Sequence, residues 1–124
     1  MVASQQERQE DPESKKERNL LKLINSQGKT AFMMSKRVHL YVSGKVQGVY
    51  FRQGMKETAE KNNVKGWVRN LPDKSVEAVL EGEESNVDAV IDWSNFGPPG
   101  AIVEELKVII EDNVEELADF EILS

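Results

Sequence analysis

A chain of 124 residues, 39% apolar and 31% charged, has the composition of a globular protein and the length for one ordinary domain plus a tail. A formal net charge of −6 weighs against a nucleic-acid binder, which needs clustered Lys and Arg to displace phosphate counterions. The sequence has no cysteine, which excludes disulfides, thiolate nucleophiles and thiolate-held metals, and no apolar run approaches the length of a membrane span.

Residues 1–19 mix Glu, Gln, Lys, Arg and Ser with almost nothing apolar after Met1, Val2 and Ala3, the composition of a flexible leader that cannot nucleate a core. Glu7, Glu10, Asp11, Glu13 and Glu17 oppose a mitochondrial presequence, and a secretory signal needs a longer apolar stretch. A cloning remnant, or a true start at Met33 or Met34, accounts for the leader equally well. Leu20, Leu21, Leu23 and Ile24 are expected to form a transient helical turn, or one that docks on a neighbour. Residues 1–35 are therefore assigned as a flexible extension and 36–124 as the folded domain.

From Lys36 the pattern tightens. Val38, Leu40 and Val42 alternate with His39, Tyr41 and Ser43, which predicts a strand with one buried face. His39, the only histidine, is read there as a surface or packed residue rather than a catalyst. Gly44 and Gly48 bracket a loop, and Phe51, Met55 and Ala59 then recur every four residues, predicting a helix that runs to about Asn62. Val64, Gly66 and Val68 mark a second strand, and Val76, Ala78 and Leu80 a third. Leu71-Pro72-Asp73-Lys74 joins these two as a hairpin.

Ser85 is the expected cap of a second helix carrying Val87, Val90, Ile91 and Ser94, which Gly97-Pro98-Pro99-Gly100 ends. Ile102, Leu106, Val108 and Ile110 are expected to share one face of a fourth strand, interrupted by the charge of Glu104, and Phe120 to Leu123 to add a short edge strand. The order βαββαβ predicts an α+β, ferredoxin-like sandwich: an antiparallel sheet with two helices on one face.

The loop from Gly44 to Phe51 lies between a predicted strand and the first turn of a helix, where unpaired backbone N–H groups and the helix dipole make an anion cradle. Gly48 permits the close turn, and Arg52 adds a planar cation whose forked donors suit two phosphate oxygens. It is not a Walker loop, because no Gly-Lys-Ser/Thr closes it. On spacing alone, Asn70 before Leu71-Pro72-Asp73 reads as a turn residue. Alternation nevertheless puts it on the helix-facing side of its strand, at an end within reach of the loop.

Gly44-x-Val46-Gln47-Gly48-Val49-x-Phe51-Arg52, followed by Gly66-Trp67-Val68-Arg69-Asn70, resembles the acylphosphatase signature. Leu71-Pro72-Asp73, Ser75-Val76-Glu77, Glu81-Gly82, Gly97-Pro98-Pro99 and Phe120-Glu121-Ile122 extend the resemblance over residues 36 to 123. The resemblance implies a phosphate-holding loop of Gln47, Gly48, Val49, Tyr50, Phe51 and Arg52, with Arg52 as the catalytic arginine and Asn70 as the residue that places water. The implied substrate is a small-molecule acyl phosphate, hydrolysed to a carboxylate and inorganic phosphate without a metal or other cofactor. The expected setting is a cytoplasmic monomer with no nucleic-acid or membrane partner. Two positions depart from the family pattern. Lys74 stands where the family often has glycine, which costs turn stability if φ is positive there, and Tyr50 stands where small residues are common.

Two rivals differ in class. A ferredoxin-like module reading single-stranded RNA would use Tyr41 and Trp67 as a stacking platform, but Val76 to Leu80 supplies no aromatic and the charge balance opposes it. A domain detached from a larger carbamoyl-transfer enzyme would share the phosphate cradle.

Overall fold

The computed structural model describes residues 20–24, 30–112 and 115–124, so the leader expected over residues 1–19 lies outside the described residues. The chain divides into two compact units, Met1–Ser35 and Lys36–Ser124. In the first, β1 (Leu20–Ile24) pairs antiparallel with the opening of β2 (Thr30–Lys45), Leu20 opposite Met34 and Ile24 opposite Thr30. The helical turn expected for Leu20–Ile24 is therefore wrong. A lone turn fixes several dihedrals for one hydrogen bond, whereas the run Ala31-Phe32-Met33-Met34 offers a partner along the whole strand.

The second unit continues from β2 through α1 (Phe51–Lys61), β3 (Lys65–Asn70), β4 (Val76–Glu83), α2 (Glu84–Ser94), β5 (Ile102–Glu111) and β6 (Phe120–Ile122). Its sheet order is β5-β2-β4-β3-β6. β5 runs antiparallel to β2 and β4 antiparallel to β3, while the short β6 lies parallel to β3. This is the βαββαβ ferredoxin-like sandwich.

One core welds the helices to the sheet. Val38, Leu40 and Val42 of β2, Val68 of β3, and Val76, Ala78 and Leu80 of β4 meet Phe51, Met55 and Ala59 of α1 and Val87 and Val90 of α2, all at most 1% exposed. Each such Val, Leu, Met or Phe contributes about 1.5–3 kcal/mol by leaving water. The four-residue spacing in α1 thus fixes which way that helix faces, and with it the direction of its first turn.

Two local expectations are corrected. α2 is capped by Glu83 rather than Ser85: the Glu83 carboxylate accepts from the Asn86 N–H at 3.1 Å, and the Ser85 hydroxyl donates to the same oxygen. β4 runs straight into α2, so its last extended residue, at φ −63° and ψ 141°, becomes the cap. In β5 the pairing shifts register: Ser43 lies opposite Glu105 and Gly44 opposite Val103, leaving Glu104 as the extra residue of a bulge. Val103 therefore joins Leu106 against the core, while Ile102 is 59% exposed. Gly44 permits this close pairing, because a Cβ there would collide with the Ile102 carbonyl. Val108 and Ile110 do lie opposite Leu40 and Val38, yet both are exposed, so only the first half of this outermost strand, through Val103 and Leu106, packs against the core.

The other sheet face is polar. The Arg37 guanidinium donates to Glu81 at 2.8 Å and to Glu111 at 2.7 Å, and Arg69 donates to Glu77 at 2.6 Å. His39 lies between Glu77, 2.6 Å from Nε2, and Glu111, 3.0 Å from Nδ1. Glu81 also accepts the backbone N–H groups of Glu115 and Leu117, which ties down the segment leading to β6. Tyr41 stacks on His39 at 5.0 Å, Trp67 meets the same ring edge-on, and the Arg69 guanidinium lies over Trp67. These aromatic rings are packed against neighbours rather than presented as an open stacking platform.

Lys74 adopts φ 76°, so the hairpin does require a left-handed residue where lysine stands. That conformation costs a residue with a Cβ about 1–2 kcal/mol, partly offset by the freedom glycine adds to the unfolded chain. Lys74→Gly is expected to gain about 0.5–1 kcal/mol and raise the melting temperature by a few degrees. A lower melting temperature would contradict the turn assignment.

Burial raises the Glu77 carboxyl, but hydrogen bonds from His39 and Arg69 outweigh it and hold the group below its ordinary value; the Arg37 hydrogen bond leads in doing the same for Glu111. With both values lowered on folding, the unfolded chain binds more protons as acid is added. Their contribution is complete above the ordinary glutamate value of about 4.3 and is lost as pH falls through the lowered values. Urea midpoints should therefore place wild type above Glu77→Gln at pH 7, with the gap closing below about pH 4. A gap independent of pH would sink this reading.

Candidate active site

Between β2 and α1 the chain turns through Val46 to Tyr50. Val46 and Phe51, each 1% exposed, anchor the two sides of this loop in the core, and the Phe51 ring packs on Trp93 at 5.2 Å. Gly48 at φ 77° and Tyr50 at φ 65° supply the left-handed steps that curl the loop over the end of the helix. Tyr50 occupies the N-cap position of α1 but makes no side-chain cap, and the first turn holds no acidic residue. The contrast with α2 is direct, since there Glu83 fills the same role with a carboxylate. The N-terminus of α1 thus keeps its positive dipole end and its orphan N–H donors for something other than its own side chains.

At this end lies a cavity of about 410 Å³ lined by Val46, Gln47, Gly48, Tyr50, Phe51, Arg52, Gln53 and Ile122. Arg52 projects from the first turn of α1 and is half-buried. Among the described residues no carboxylate pairs with it. Its planar fork is therefore available to an anionic guest, and the cavity lining contains no acid to repel one.

The Gln47 side chain points elsewhere. Its amide nitrogen donates to the carbonyls of Leu71 and Ser75, each at 2.9 Å, and these two residues close the β3–β4 turn through Leu71 N–H to Ser75 O. The amide is a brace that fastens the loop to the hairpin. Both carbonyls also accept backbone N–H groups within the turn, Leu71 O from Lys74 and Ser75 O from Leu71, so losing the brace would cost two hydrogen bonds, about 0.5–1.5 kcal/mol each, without orphaning either carbonyl.

Asn70 ends β3, directly before the residue that receives this brace. Its Oδ1 is buried and has no hydrogen-bond partner among the described residues. An orphaned buried acceptor costs about 1–3 kcal/mol unless a donor reaches it.

Of the residues singled out from sequence, Gln47, Gly48, Tyr50, Phe51 and Arg52 share the cavity wall. Val49 instead packs its side chain against the core, and Asn70 lies outside the lining, next to the Gln47 anchor. Ile122 and Gln53 were missed. Ile122 reaches the site because β6 pairs with β3 and because Lys56 of α1 donates to the Phe120 carbonyl at 2.9 Å, drawing the last strand alongside that helix. The available signal was period two: Ile122 falls on the same side of its strand as buried Phe120. Among the described residues no group of His, Asp or Glu is arranged to hold a metal ion.

The acylphosphatase family model matches residues 38–122. The chain is 56% identical over 88 residues to an acylphosphatase of Pyrobaculum aerophilum, covering 70% of this chain and 93% of that one. Among solved structures, an acylphosphatase from Coxiella burnetii superposes with a TM-score of 0.69 at 37% identity, covering 72% of this chain and 93% of the other. The acylphosphatase of Bacillus subtilis gives 0.70 at 30% identity, covering 72% and 99%.

Proposed function

The chain belongs to the acylphosphatase family and is an enzyme that hydrolyses acyl phosphates, and on that premise we propose that Arg52 and the loop from Gln47 to Arg52 hold the phosphoryl group while Asn70 holds the attacking water. The observation that carries this reading is Arg52, which no carboxylate among the described residues pairs with, in a cavity at a helix end whose N-cap residue makes no side-chain cap. Backbone N–H groups of the loop and the guanidinium fork meet the phosphoryl oxygens. The Asn70 Oδ1 accepts a hydrogen bond from water and aims its lone pair at phosphorus, in line with the leaving acyl oxygen.

The reaction asks little more of the protein. A carboxylate is a good leaving group, so breaking the phosphorus–oxygen bond needs positioning and charge stabilisation rather than a covalent intermediate. Water adds to phosphorus, the bond to the acyl oxygen breaks, and the electron pair leaves with the carboxylate. One water proton passes to a phosphoryl oxygen, so an acyl phosphate dianion yields a carboxylate and dihydrogen phosphate. The substrate's own phosphate serves as proton acceptor, because an asparagine amide is a poor base. Action as a cytoplasmic monomer, without a metal, nucleic acid or membrane partner, and with residues 36–124 as the catalytic unit, completes the reading.

Arg52→Lys tests the fork: lysine keeps the charge but cannot offer two parallel donors, so turnover should fall on the order of 10²-fold while inhibition by inorganic phosphate weakens. Asn70→Ala should reduce kcat far more than it weakens phosphate inhibition. A chelator should leave wild-type hydrolysis unchanged. Near-wild-type rates in both variants would return Arg52 to a solvated first-turn residue and Asn70 to a turn former.

A further inference from the structure

We infer that Tyr50 and Ile122 form an apolar mouth that receives the acyl half of the substrate, and that this makes the enzyme favour aromatic or bulky apolar acyl phosphates over acetyl phosphate. The inference rests on the cradle proposed above and names the substrate class that it serves.

Seven large apolar side chains are exposed among the described residues, and of these Tyr50 and Ile122 line the cavity. Tyr50 is 82% exposed and Ile122 36%. Behind them Val46 and Phe51, each almost fully buried, back the cavity from the core side, and Arg52 is the one charged residue of the lining. A phosphoryl group seated on Arg52 and the helix end fills a minor part of about 410 Å³. Apart from Gln47, Gly48 and Gln53 the remaining lining is apolar, as expected for a site that must also hold an apolar group.

The backbone of Tyr50 adds an independent observation. It has φ 65° and ψ 28° at an N-cap, where Ser, Thr, Asp, Asn or Gly is favoured. A bulky residue in this left-handed conformation is strained, and its ring recovers nothing by burial or by capping the helix. A side chain held at such cost, exposed at the rim of the cavity, has a contact to make with whatever enters. In-line attack places the leaving acyl group opposite the water. Acyl contacts must then come from residues other than Asn70, and the exposed apolar groups of the same cavity are Tyr50 and Ile122.

The test compares kcat/KM for benzoyl phosphate and acetyl phosphate in wild type, Tyr50→Gly, Tyr50→Phe and Ile122→Ala. Glycine suits the backbone at this position, so Tyr50→Gly should melt at or above wild type. The benzoyl-to-acetyl ratio should fall about tenfold in Tyr50→Gly, within the range expected when an apolar pocket loses a contact, and several-fold in Ile122→Ala. Tyr50→Phe, which keeps the ring, should keep the ratio. Wild type that hydrolyses both substrates, with a ratio unmoved by Tyr50→Gly and Ile122→Ala, overturns the acyl mouth alone. Wild type that hydrolyses neither overturns the proposed chemistry and this inference with it.

Discussion

The first turn of α1 carries no side-chain cap, and the arrangement of the site follows from that single constraint. An uncapped helix end keeps orphan donors and a positive dipole end that only a guest anion or water can satisfy. Holding such an end open requires that the preceding loop be fixed by other means. Val46 and Phe51 fix it through burial, Gly48 and Tyr50 through left-handed backbone, and Gln47 through two hydrogen bonds to the β3–β4 turn. The same two bonds set the loop beside the strand end that bears Asn70. Arg52 then follows from helix geometry, one residue beyond core-buried Phe51.

The sheet separates stability from chemistry by face. Its apolar face holds both helices and so fixes the direction of α1. Its polar face holds a network in which Arg37, Arg69 and His39 meet Glu77, Glu81 and Glu111. That network absorbs acids that would otherwise add to the negative field of a chain carrying a net charge of −6. None of these six residues lines the cavity at Arg52. An anionic substrate therefore meets a local positive site on a protein whose overall charge is unfavourable to it.

What the sequence made legible was local. The period-four stripe of α1, the alternation of β2 to β4 and the Gly-Pro punctuation after α2 each depend on residues close together in the chain. Lys74 was legible in the same way, because a hairpin's demand for positive φ is a property of the turn itself. Long-range pairing was not. Leu20–Ile24 reads as a stray apolar cluster until Thr30–Met34 is set opposite it. The bulge at Glu104 reverses the parity of β5 only through its register with β2. The Gln47 brace joins partners 24 and 28 residues away, and Ile122 enters a cavity otherwise built from residues 46–53. The Glu83 cap was missed for a different reason: with no loop between β4 and α2, the usual signal of a helix start, Ser85, fell two residues too late.

The central claim is that the open end of α1 is a phosphate cradle. The most direct measurement is a titration of the ¹⁵N-labelled protein with inorganic phosphate, following the backbone amides by NMR. The account predicts that the amides of Gly48, Val49, Tyr50, Phe51 and Arg52 and the Asn70 side-chain amide shift together along one saturating curve, while those of α2 stay still. Shifts that are absent from this loop, or that saturate on the polar face of the sheet instead, would contradict it.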